Sequence, residues 1–102
     1  MLIITHKDPD SGKSWEIPLF EVDHPDDLRF LHRDDVYSAI KTSLVRMSEN
    51  NLSRVPCFAI DELIFELTPE SIKENLGMCV SYYEEIEDYE TCSLLTTLKF
   101  NQ

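Results

Sequence analysis

With 102 residues, 42% of them hydrophobic and ten aromatic, the chain is long enough for one domain with a modest core and too apolar to be disordered. Its 20 acidic against nine basic residues give a net charge of −11 and an isoelectric point near 4.5, a surface that repels nucleic acid and anionic membranes and attracts basic proteins. No apolar run approaches the roughly 20 residues that cross a bilayer. Met1 to Lys7 also lacks the basic start, apolar stretch and cleavage site of a secretion signal, so a soluble, cytoplasmic protein is expected.

Leu2 to Thr5 reads as a strand and Trp15 to Phe20 as its hairpin partner. Trp15, Ile17 and Leu19 fall on one face, and Asp8-Pro-Asp-Ser-Gly12 supplies turn chemistry between the strands. Asp8, Asp10 and Gly12 also resemble the start of a calcium loop, but the glycine falls at loop position 5 instead of 6 and Leu19 stands where a bidentate Glu is needed. A turn is therefore the reading.

His24-Pro-Asp-Asp27 and His32-Arg-Asp-Asp35 repeat with a period of eight. Imidazole and carboxylate together suit a divalent ion that activates water, which makes His24, Asp26, Asp27, His32, Asp34 and Asp35 the residues of an alternative reading, a small metal-dependent hydrolase. Acids just ahead of a helix are also what capping and the helix dipole favour, and capping is the preferred explanation. Asp34 or Asp35 is expected to cap a helix running to about Asn50, because Val36, Ile40, Leu44 and Met47 recur at helical spacing.

Arg54 to Ile60 and Glu62 to Leu67 read as two strands or one bent strand, with Leu63, Phe65 and Leu67 alternating against Glu62, Ile64 and Glu66. Pro56 pushes its strand to an edge or confines the proline to the start. Thr68-Pro-Glu70 combines a capping hydroxyl, a proline suited to a first helical position and an early acid. Beyond it two readings compete. A helix ending at Leu76 with Gly77 as its C-cap would be followed by a hairpin of Met78 to Tyr83 with Thr91 to Phe100. The preferred alternative is a helix through Gly77, on which Ile72, Leu76, Cys79, Tyr83, Ile86 and Tyr89 form one stripe. The fold class is α+β, one domain over residues 1–102, roughly β-β-α-β-β-α with a C-terminal helix or hairpin.

Cys57, Cys79 and Cys92 are odd in number and unevenly spaced, so buried inert thiols are expected instead of a disulfide framework or a metal site. With two glycines no phosphate-binding loop is available, and no nucleophile and base stand in a telling spacing. Neither a catalytic residue nor a cofactor is expected.

The most informative segment lies between Lys73 and Lys99, where no cation occurs and Glu84, Glu85, Glu87, Asp88 and Glu90 crowd together with Tyr82, Tyr83 and Tyr89. Carboxylates beside flat aromatic faces offer a basic groove what a nucleic-acid strand offers it. These eight residues are the expected partner-binding site, and the expected partner is a basic, nucleic-acid-binding protein. The chain would inhibit it by occluding its groove, as phage anti-defence proteins (anti-CRISPR or anti-restriction) and toxin-immunity proteins do; the analogy is one of charge and size. A third reading is a structural subunit forming a homo-oligomer through Leu63-Ile64-Phe65 and Leu94, Leu95 and Leu98.

Overall fold

Strand β1 (Leu2–Lys7) pairs antiparallel with β2 (Ser14–Phe20), setting Leu2 against Leu19, Ile4 against Ile17 and His6 against Trp15. The computed structural model describes residues 2–8, 11–24 and 26–100, Arg29 by its backbone alone. Of the expected turn, Asp8, Ser11 and Gly12 are therefore placed, and Pro9 and Asp10 lie outside the described residues. The Gly12 N–H donates to the Asp8 carbonyl at 2.9 Å and the Ser11 hydroxyl to the Asp8 carboxylate at 2.8 Å. Gly12 takes φ 73°, a left-handed conformation that glycine adopts without a Cβ clash.

From β2 a single helical turn, α1 (Asp27–Phe30), leads into α2 (Arg33–Glu49), which carries the chain to β3 (Val55–Ile60). Strand β3 runs parallel to β2, with Leu19 beside Ala59, and a parallel neighbour requires such a crossover. Helix α2 begins slightly earlier than expected. His32 occupies its N-cap position, and Asp34 and Asp35 sit in the first turn, where carboxylates complement the positive end of the helix dipole. At its other end Asn51 adopts φ 56° and the Leu52 N–H reaches back to the Met47 carbonyl at 3.1 Å, a left-handed termination that asparagine tolerates.

Strand β4 (Leu63–Leu67) returns antiparallel to β3 after a tight turn in which Asp61 has φ 53°, so the segment is two strands. The sheet order is β1-β2-β3-β4. Strand β3 is thus internal, and Pro56 is accommodated near its start beside a bulge between Pro56 and Phe58. Of the alternating Leu63, Phe65 and Leu67, Leu67 is buried and the other two are exposed on the outer strand.

Helix α3 (Ile72–Glu85) starts later than Thr68-Pro-Glu70 suggests, because the Thr68 N–H donates to the Ser71 hydroxyl at 3.0 Å and the Ser71 N–H to the Thr68 carbonyl at 3.0 Å. That local turn uses the donors a helix start would leave free. The helix then passes through Gly77, so the hairpin is not formed. It stops at Glu85, short of Tyr89, and a second helix, α4 (Tyr89–Thr97), follows. The architecture is α+β in the order β-β-α-β-β-α-α once α1 is counted as the lead-in to α2.

Helix α2 is the hub, in contact with β3, β4, α3 and α4, while α3 and α4 pack on each other. The core joins Leu44 and Met47 of α2, Val55 of β3, Cys79 and Tyr83 of α3 and Leu95 of α4. Truncating a fully buried Leu44 or Leu95 to Ala should cost about 2–5 kcal/mol. Among the described residues no helix is long and apolar enough to cross a membrane.

Candidate functional site

The eight residues expected to meet a partner divide by how α3 ends. Ile86 is the C-cap of α3. The Glu87 N–H donates to the Glu84 carbonyl at 3.0 Å and the Asp88 N–H to the Tyr83 carbonyl at 2.8 Å, while Glu87 takes φ 61°. This pair of bonds is a Schellman termination, whose left-handed position glycine usually fills. A glutamate there carries a Cβ clash of about 1–2 kcal/mol.

Asp88 does not extend an acidic stripe along one helix, as a continuous α3 would have made it do. It caps α4 instead, accepting from the Thr91 N–H at 3.1 Å and from the Thr91 hydroxyl at 2.7 Å. Those bonds hold its carboxyl below the ordinary 3.8. Glu85 accepts from the Arg33 guanidinium at 2.6 Å, which lowers its own pKa and raises that of Arg33. Glu84, Glu87 and Glu90 stay exposed, and none forms an ion pair among the described residues.

Tyr82 and Tyr83 are core side chains, 4% and 6% exposed, instead of open faces for a partner. Tyr82 stacks on Tyr37 with ring centroids 4.3 Å apart, and its hydroxyl donates to the Asp34 carboxylate. Burial, then that bond, pushes its pKa up to about 12. Burial also raises the pKa of Tyr83, whose ring lies 5.6 Å from the Lys41 ammonium. The cation-free segment is therefore met in space by Arg33 and Lys41 of α2. Only Tyr89 is presented outward, at 64% exposure, and it is joined by Ile86 at 49%.

Ile86 was expected on the apolar stripe of a continuous helix, but α3 ends at Glu85 and Ile86, its C-cap, is exposed. The stretch thus exposes an isoleucine and a tyrosine interspersed along the chain with three carboxylates that form no ion pair among the described residues, the mix of apolar and charged groups that interfaces use. Beside it an open groove of about 710 Å³ runs between α2 and α3, with Arg33, Tyr37, Met78 and Glu85 among its walls. Arg33 and Tyr37 carried no functional signal in the sequence, since their role depends on the approach of two helices.

The residues of the metal reading are not brought together. His24 and Asp26 make local contacts, with the Asp26 N–H donating to His24 Nδ1 at 3.2 Å and the His24 N–H to Asp27 at 3.3 Å. His32 packs its ring 5.2 Å from that of Phe20, and Asp34 serves Tyr82. Among the described residues no group of three or more His, Cys, Asp or Glu is placed to hold a metal ion. In comparisons with known proteins, no family model, no curated protein and no solved structure matches the chain.

Proposed function

We propose that the chain is an acidic, non-enzymatic inhibitor that acts in the cytoplasm by binding a basic, nucleic-acid-binding protein and occluding its groove, in the manner of phage anti-defence or toxin-immunity proteins. The observation that supports this reading is the exposure of Ile86 and Tyr89 in a short stretch that also exposes Glu84, Glu87 and Glu90, with Glu87 held at φ 61°. Aromatic anchors inside a charged rim are the usual energetic centres of interfaces, and bidentate arginine contacts to free carboxylates would add charge-assisted hydrogen bonds. Backbone strain at an exposed carboxylate is more readily understood where that carboxylate has work to do. The net −11 keeps nucleic acid itself away.

The test compares the native chain with E84K/E87K/E90K, which spares the cap Asp88 and the paired Glu85. A partner captured by the native chain from a host lysate is identified and assayed for nucleic-acid binding while the chain is titrated in. Stoichiometric loss of nucleic-acid binding, absent with the charge-reversed variant at unchanged circular dichroism, is expected. Equal inhibition by the variant, or a partner that keeps its nucleic acid at saturation, overturns the reading.

A further inference from the structure

We propose that the free edge of β4 is a separate docking surface, which takes an extended segment of alternating apolar and basic residues from a partner protein as a fifth strand. Among the described residues strand β4 has β3 as its single neighbour in the sheet, so alternate N–H and C=O groups along its other side face outward. Leu63, Ile64 and Phe65 are 66%, 38% and 44% exposed. Phe65 stacks on Phe58 at 5.1 Å, and Phe58 meets Phe20 at 5.7 Å, an aromatic row that stiffens the sheet out to this edge. Natural edges are commonly guarded by lysine, proline or a bulge of the edge strand itself. The sequence Leu-Ile-Phe-Glu-Leu has neither of those residues, and the bulge lies in β3, the inner strand.

Charge selects the occupant. Alternation places Leu63 and Phe65 on one face of β4, and Ile64 and Glu66 on the other, with exposed Asp61 and Glu62 at the adjoining turn. A strand whose apolar side chains lie beside Leu63 and Phe65 and whose cations lie beside Glu66 and Glu62 satisfies both faces. A second copy would bring a further −11 against this chain. The edge is also distinct from the α3–α4 turn, because β4 packs chiefly on β3 and α2 and neither α3 nor α4 is among its main neighbours, so the inference does not rest on the function proposed for that turn.

The probe is a short peptide of alternating lysine and valine, titrated into the intact chain, with backbone amide exchange read residue by residue. The expected result is about ten-fold slower exchange at outward amides within 63–67. A peptide of the same composition with lysines and valines in separate blocks should not produce it. Ile64→Pro and Phe65→Pro provide the control, because neighbouring amides of an antiparallel strand point alternately to its partner and away from it. The variant that keeps the native circular dichroism should lose the protection, while E84K/E87K/E90K should keep it. Equal protection by the block peptide, protection confined to residues 84–90, no protection at saturating peptide, or a peptide-independent dimer that covers β4 would each overturn the proposal.

Discussion

Tyr82 and Tyr83 are adjacent, and both turn inward: their rings meet edge-on with centroids 4.9 Å apart, and Arg33 lies 4.9 Å from the Tyr82 ring. The Tyr82 phenol is neutral when it donates to Asp34, so the folded state favours its protonated form and its pKa rises from 10.0 to about 12. Burial likewise lifts the thiols of Cys57 to about 11 and Cys79 to about 12 from an ordinary 9.0. For each group the raised pKa contributes stability that is fully present below the ordinary value and is lost as pH climbs through the folded one. Urea unfolding should therefore weaken progressively between about pH 9 and 12. Tyr82→Phe should flatten the upper part of that decline, and tyrosinate absorbance should show Tyr82 and Tyr83 of the folded chain ionising later than a free phenol. A native chain whose stability is level across this range would contradict the buried, neutral assignment.

Among the elements, hairpin β1–β2 and helix α2 are legible because their apolar residues repeat with unambiguous periods, and the core stripe Ile40, Leu44 and Met47 is where spacing puts it. The end of α3 is not legible. Gly77 carries the usual sign of a helix stop but lies inside the helix, and Glu87, at φ 61°, does what glycine usually does at the true end. Packing of Cys79, Tyr82 and Tyr83 into the core outweighs the propensity loss of about 1 kcal/mol at Gly77. These reversed roles are testable. A Cβ added at Gly77 meets nothing within 4 Å, so Gly77→Ala should stabilise the chain by about 1 kcal/mol. Glu87→Gly should do so by a similar amount through relief of the left-handed strain. For a domain of this size each should raise the melting temperature by roughly 4–8 °C. Only Glu87→Gly should weaken partner binding, because it alone removes a free carboxylate from the surface.

At the scale of the whole molecule, ten of the 20 acids but only two of the nine cations follow residue 60, an asymmetry visible in the sequence. How the five crowded acids divide is not visible there. It depends on Arg33, 52 positions away from Glu85, and on the turn that makes Asp88 a cap, which leaves Glu84, Glu87 and Glu90 exposed and without an ion pair among the described residues. Free, exposed charges act at long range and are screened by salt, whereas Ile86 and Tyr89 act only on contact. The rate constants of binding should separate accordingly. Association with the basic partner should slow steeply between low salt and physiological ionic strength, where the Debye length falls to about 8 Å, and the dependence should shrink in E84K/E87K/E90K. Tyr89→Ala should leave association nearly unchanged and speed dissociation, by about 30-fold if the ring contributes a hot spot of about 2 kcal/mol. Stopped-flow mixing over a salt series reads both constants, and an association rate indifferent to salt in the native chain would mean that the acids serve solubility alone.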